Sequence, residues 1–192
     1  MTHSVGILAL QGATRAHARA FARLGVEARD VRRPEDLDGL DGLVLPGGES
    51  TTLHHLMTTY GLWEAIERAR AERDLARFGT CAGAILLGRA PEASDERPPR
   101  FGFLDADVER NGFGRQAQSD VQSIRMGDAV HDVLFIRAPR IVRVGPEVEV
   151  LARLGDEPVA IEAPGLLATT FHPELGDELL FHRRFLERTY GV

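Results

Sequence analysis

Three side chains carry the chemistry that this sequence offers: Cys81, His172 and Glu174. Cys81 is the only cysteine and stands in Gly79-Thr80-Cys81-Ala82-Gly83, between a strand-like run (Leu75 to Phe78) and a small apolar stretch (Ala82 to Leu87) that reads as a helix. A residue at such a strand-to-helix turn is pushed out of the backbone. Glycines two places to either side let strand and helix approach closely, which is the nucleophile-elbow pattern with sulfur in place of a serine oxygen. The helix that follows directs its first N–H groups toward the sulfur, an arrangement that favours negative charge there. A thiol nucleophile needs a base, and His172-Pro173-Glu174 supplies one with its own orienting carboxylate. Pro173 restricts His172 to an extended backbone, in which side chains two apart project to the same side. The imidazole could then take the thiol proton and give it to a leaving amine, while Glu174 fixes its tautomer. A free cysteine is often simply buried, and a lone strand-end histidine is often only bonded locally. The elbow and the His-Pro-Glu run together favour a thiol-dependent acyl transferase or hydrolase.

Other segments fit around that centre. In Pro46-Gly47-Gly48-Glu49-Ser50 the glycines follow a buried strand and expose backbone N–H groups, while Glu49 or Ser50 can cap the next helix. Such a loop could form an oxyanion hole or bind a substrate carboxylate. Gln11-Gly12, at the end of the first strand, borders the same crevice. Arg110, in Val108-Glu109-Arg110-Asn111, and Arg137, in Phe135-Ile136-Arg137-Ala138-Pro139, suit a substrate α-carboxylate. Arg15, Arg19, Arg23, Arg68, Arg70 and Arg73 fit solvated helix faces. His54 and His55 adjoin on a helix and face different directions, and no cluster has zinc spacing, so neither a metal nor a cofactor is expected.

All 23 basic residues are arginine. Without a lysine the chain can form no lysine Schiff base and has no P-loop lysine, so any imine chemistry belongs to another polypeptide. A net charge of -6 argues against a general nucleic-acid binder. A single cysteine forms no internal disulfide and gives no sign of an oxidising compartment. Val5 to Leu10 is too short to span a membrane and reads as a first buried strand. The expectation is a cytoplasmic enzyme, with neither nucleic acid nor membrane as partner.

The elements that must position these residues alternate through the first half. Strands are expected at Val5–Leu10, Val26–Val31, Gly42–Leu45 and Leu75–Phe78. Helices are expected over Ala13–Leu24 (Ala13, Ala16, Ala20, Phe21 and Leu24 marking one face), Ser50–Tyr60 and Trp63–Arg73. This order predicts an α/β fold: a three-layer sandwich with a mostly parallel central sheet and helices on both faces. Beyond the polar loop Pro91–Arg100 come short strand-like runs: Phe103–Glu109, Val121–Arg125, Val133–Ile136, Ile141–Val144, Val148–Leu154, Val159–Glu162 and Leu166–Phe171. Their turn glycines predict an antiparallel extension in the second half. A last amphipathic helix spans about Asp177–Tyr190. No repeat or linker divides the chain, so residues 1–192 read as a single domain. Cys81 and His172 both follow strands, at the sheet edge where open parallel sheets hold ligands.

The elbow followed by a distant His-Pro-Glu resembles the class I glutamine amidotransferases, whose triad is Cys–His–Glu. More specific segments resemble one branch of that family, the glutaminase subunits of two-component pyridoxal 5'-phosphate synthases. They are Leu10-Gln11-Gly12-Ala13, Leu45 to Thr52, Phe78 to Gly83, Val108 to Asn111 with Phe113-Gly114-Arg115-Gln116, Phe135 to Pro139, and Phe171 to Leu175. The resemblance implies that Cys81 attacks the glutamine amide and that His172 and Glu174 complete the triad. It implies that Gly48, Glu49, Ser50, Arg110, Ile136 and Arg137 contact L-glutamine, and that Gln11 and the Gly47-Gly48 peptide lie near the oxyanion. It also implies a partner, the pyridoxal phosphate synthase subunit, which receives the ammonia and activates the glutaminase on docking. Departures are Ala84, where a larger apolar residue is usual, and the less familiar stretch Ala117–Ala129. The rivals are a glutaminase feeding another synthase, such as that of histidine biosynthesis, a non-hydrolytic elbow-cysteine protein of the stress-response type, and an inactive interaction module.

Overall fold

Continuous apolar runs make the centre of the molecule. The strands β1 (Val5–Leu8), β3 (Gly42–Leu45), β4 (Ala76–Thr80) and β11 (Leu166–Thr169) are buried at every position. That is what a strand covered on both faces requires. With β2 (Ala28–Val31) they pair in parallel in the order β2-β1-β3-β4-β11. The structure, a computed structural model, describes residues 4–92, 98–110, 112 and 120–190. Asn111 and Phe113-Gly114-Arg115-Gln116 lie outside the described residues, as do 93–97 and 117–119.

Alternation along these strands divides the core into two layers. Leu43 and Leu45 pack with Leu53 and Met57 of α2 (Ser50–Thr59), Leu62 and Ile66 of α3 (Leu62–Glu72) and Leu86 of α4 (Ala82–Leu87). Val44, between them, points the other way, toward Phe21 of α1 (Thr14–Arg23) and Phe181 and Phe185 of α5 (Leu180–Tyr190). Each such fully buried side chain contributes about 1.5–3 kcal/mol. The expected sandwich, with helices on both faces, is therefore present.

The antiparallel extension continues the same sheet as β11-β10-β9-β6-β7, through β10 (Glu157–Ala163), β9 (Glu149–Leu154), β6 (Asp120–Met126) and β7 (Ala129–Phe135). The sheet joins β9 to β6 at one residue pair, Arg125 and Arg153. The outer hairpin returns to the centre at its far end, where the His172 N–H donates to the Leu134 carbonyl at 2.9 Å. That contact delivers Ile136 and Arg137, which follow β7, to the carboxyl ends of β4 and β11.

Several boundaries differ from the sequence reading. β1 stops at Leu8 instead of Leu10, because the chain turns to carry Gln11 toward the Gly47-Gly48 loop. Only Ala106–Glu109 of the Phe103–Glu109 run is a strand, β5, and it pairs with β8 (Arg140–Val144) in a separate two-stranded sheet. Pro34–Leu37 forms a 3-10 turn that the sequence reading lacked; Asp36 accepts from the Arg32 and Arg33 N–H groups at 2.9 Å each. Arg70 lies over the Phe103 ring and Arg73 donates to the Leu37 carbonyl at 2.6 Å, so these two do more than solvate a helix face.

Candidate active site

Cys81 sits between β4 and α4 with φ 48° and ψ -101°, a conformation that costs a non-glycine residue about 1–3 kcal/mol. The turn is held open for it on both sides. A Cβ on Gly79 would lie 2.6 Å from the Gly83 carbonyl carbon, and a Cβ on Gly83 would run into the Leu45 carbonyl of β3. The Cys81 N–H donates to the Thr169 carbonyl of β11 at 2.8 Å, pinning the elbow to the neighbouring strand. The sulfur makes no capping hydrogen bond with the first turn of α4 and lies 3.9 Å from the Ile136 carbonyl.

His172 follows β11 and is 7% exposed. Its Nδ1 bonds Glu174 Oε1 at 2.8 Å, which leaves Nε2 for the sulfur side. The pairing differs from the expected extended strand: Glu174 is in a 3-10 turn, Pro173–Leu175, that swings the carboxylate back to the ring. Burial works against a charged imidazole, but the hydrogen bonds and electrostatic attraction of Cys81 and Glu174 outweigh it and raise His172 to about 10. Burial likewise opposes charge on Glu174; the facing His17 and the hydrogen bond and charge of His172 keep its carboxyl below the ordinary range.

A cavity of about 240 Å³ opens over these groups, lined by Gln11, Gly48, Glu49, Ser50, Cys81, Ile85, Arg110, Ile136, Arg137 and His172. The structure thus brings nine of the eleven site residues expected from the sequence to one cavity. The other two, Glu174 and Gly47, stand behind His172 and against its ring. Ile85 lines the cavity without having been singled out; it is the residue one helical turn after the elbow, where α4 presents its next side chain.

Glu49 caps α2 by accepting from the Thr52 N–H at 2.7 Å and the Thr52 hydroxyl at 3.0 Å, and Arg110 Nη2 reaches its Oε1 at 2.9 Å. Burial opposes this carboxylate, yet the Thr52 and Thr51 N–H groups, the Thr52 hydroxyl and Arg110 hold it below the usual range. The Glu49 N–H donates to Gln11 Oε1 at 3.1 Å, and the Gly47 carbonyl accepts from the Ala13 N–H at 3.2 Å, so Gln11 and the glycine loop are tied together. Ser50 Oγ is buried and, among the described residues, has no hydrogen-bond partner. Arg137, at φ 45°, is the other non-glycine residue with a positive φ among the described residues, and it lines the same cavity as Cys81.

A cysteine elbow and a His–carboxylate pair on adjacent strand ends of this sheet define the glutamine amidotransferase class. A solved structure described as a glutamine amidotransferase superposes with a TM-score of 0.89 at 49% identity, covering 98% of this chain and 99% of that one. More particularly, the chain belongs to the SNO glutamine amidotransferase family, whose profile matches residues 7–190. It is 52% identical over 184 residues to the pyridoxal 5'-phosphate synthase subunit PdxT of Thermus thermophilus, covering 95% of this chain and 96% of that protein. The PdxT of Carboxydothermus hydrogenoformans is 45% identical over 187 residues, covering 96% of each chain.

Proposed function

We propose that this chain hydrolyses L-glutamine to L-glutamate and ammonia through Cys81, His172 and Glu174. The ammonia is delivered to a synthase subunit that builds pyridoxal 5'-phosphate, the assembly that its PdxT relatives are named for. One observation carries the reading: the thiol, the His–Glu pair, the glycine loop and two arginines all address a single small cavity. Its volume is below the roughly 300 Å³ at which pockets for drug-sized ligands begin, which suits one amino acid.

The Cys81 sulfur adds to the side-chain carboxamide carbon. The developing oxyanion is met by the Gly47-Gly48 peptide with Gln11 beside it, and one such donor contributes about 3–4 kcal/mol. His172 Nε2 gives its proton to the amide nitrogen, the C–N bond breaks, and ammonia leaves a glutamyl thioester. Water then adds as His172 takes its proton, the C–S bond breaks, and glutamate and the thiol are released. Arg110, Arg137, Glu49 and Ser50 hold the α-carboxylate and α-ammonium, so Arg110 exchanges part of its contact with Glu49 for substrate. The synthase subunit, docking at this edge of the sheet, activates the glutaminase by completing the oxyanion site. The 192 residues act as one domain in the cytoplasm.

Glutamate release is the test, measured for the chain alone and with the synthase subunit, with Cys81→Ala as control. Turnover that rises with the partner and vanishes in the variant supports the proposal. Cys81-dependent turnover indifferent to the partner would assign the glutaminase to another synthase, and no turnover in either setting would reject it.

A further inference from the structure

Behind Glu174, away from the cavity, lie two histidines that the reaction above does not use. His17 of α1 and His182 of α5 are both fully buried. His17 Nδ1 and His182 Nε2 share a hydrogen bond at 2.9 Å, and His17 Nε2 lies 3.3 Å from the Thr80 hydroxyl and 3.7 Å from Glu174 Oε2. That carboxylate oxygen is buried and has no hydrogen-bond partner among the described residues, and the same holds for His182 Nδ1.

The geometry points to His17 as a positioning residue for Glu174: its Nε2–H faces the carboxylate oxygen that His172 leaves unused, and His182 fixes the tautomer that puts the proton there. The inference rests on the reading of Cys81, His172 and Glu174 as the catalytic triad.

Two proton arrangements satisfy the bond between the histidines. If His17 Nδ1 were the donor, His182 would carry its proton on Nδ1, a buried N–H with no acceptor, and His17 would turn a lone pair toward a carboxylate. If His182 Nε2 donates, the unpartnered atom is only a bare acceptor, and His17 Nε2–H meets both Thr80 and Glu174. Leaving a buried donor unmade costs more than leaving one lone pair unused, so the second arrangement holds. The groups facing His17 are Glu174 and His172 from the turn after β11, His182 from α5 and Thr80 at the end of β4. Burial lowers His17 to about 4, with Glu174 pulling the other way and His172 adding to the fall; burial, then His17, lowers His182 to about 2. At neutral pH His17 therefore acts as a neutral donor. In the resting chain 3.7 Å exceeds a hydrogen bond. Contacts of this kind tighten when the substrate complex forms. Thr80 immediately precedes Cys81, so the same imidazole also braces the strand end that presents the sulfur.

Long-range ¹H–¹⁵N correlation spectra of the histidine-labelled full chain test this without glutamine or synthase. Both His17 and His182 should be neutral Nε2–H tautomers at pH 7; a His17 proton on Nδ1, or a charged His17, overturns the inference. Variants test its consequence. His17→Asn keeps a polar atom toward His182 but none toward Glu174, whereas His17→Gln restores a donor at the Nε2 position. In turnover assays with the synthase subunit, His17→Asn should lower kcat tenfold or more with KM within twofold, and His172 should titrate at least half a unit lower. His17→Gln should recover at least half of that loss on a logarithmic scale. A His17→Asn chain with wild-type kcat and an unmoved His172, or a Gln variant as impaired as the Asn variant, rejects the assignment. A wild-type chain without turnover would defeat the glutaminase reading instead and leave the tautomer and His172 measurements to decide His17.

Discussion

At the mouth of the site, His172 is raised to about 10; on the far side of the same carboxylate, His17 is lowered to about 4 and His182 to about 2. All three rings are buried, so burial alone does not set the outcome. The difference lies in the partners. His172 stands between a thiol and a carboxylate, both of which favour its positive charge, and it borders a cavity. His17 has one carboxylate at 3.7 Å and two other imidazoles, while His182, among the described residues, hydrogen-bonds only to His17. His172 and His17 thus stand 2.8 Å and 3.7 Å from opposite oxygens of Glu174, one ring raised and the other lowered, with His182 behind His17.

The largest effects are expected at the mouth of the site. Cys81→Ala should reduce glutamate release about 10⁴-fold or more while leaving the thermal midpoint close to wild type, since a nucleophile cannot be replaced by its neighbours. The same variant should lower the His172 titration below about 10, read by imidazole NMR, because the thiol is one of the two groups that raise it. Glu174→Gln should cost about 10²–10⁴-fold in kcat by removing the charge that orients and stabilises the imidazolium. These effects belong to the mouth alone.

The floor is tested by stability. His17 and His182 bind protons in the unfolded chain near their ordinary value of 6.5 but not in the native one, so the native state loses stability as pH falls below 6.5. Between pH 6.5 and 5.5 the pair should remove about 2 kcal/mol, seen as a falling thermal midpoint. His182→Phe, among Phe21, Phe78 and other apolar rings, should flatten that limb. His172 runs opposite: its raised value adds stability below 6.5 that is lost as pH climbs toward 10. The smallest effect should come from outside the line altogether. Glu162 of β10 takes both Arg184 and Arg188, and Glu162→Gln should destabilise by about 1 kcal/mol with kcat unchanged.

Much of the mouth was legible in the sequence and little of the floor. Gly42–Leu45 is found as expected because a strand buried on both faces writes itself as an unbroken apolar run. Most cavity residues were legible because they sit in short segments with their own chemistry, an elbow, a glycine loop, an arginine beside a strand; Ile136 was named only through the family resemblance, and Ile85 not at all. Strand β10 extends beyond the expected Val159–Glu162 at both ends because its flanks are only half buried. The separation of β5 from the main sheet depends on pairing that no local pattern records. His17 was missed although its position signalled it. It falls on the same helical face as Ala13, Ala20, Phe21 and Leu24, the face that turns inward. Its partner His182 is 165 residues away, on another helix, and only the fold joins them.

If Cys81 is the nucleophile of a glutamine-specific site, its sulfur can be trapped covalently. The chain would be treated at neutral pH with an electrophilic glutamine analogue, and the intact mass and its peptides measured. One adduct per chain is expected, located on Cys81, suppressed by excess L-glutamine and absent from Cys81→Ala. An unmodified chain, or an adduct that persists in Cys81→Ala, would contradict it.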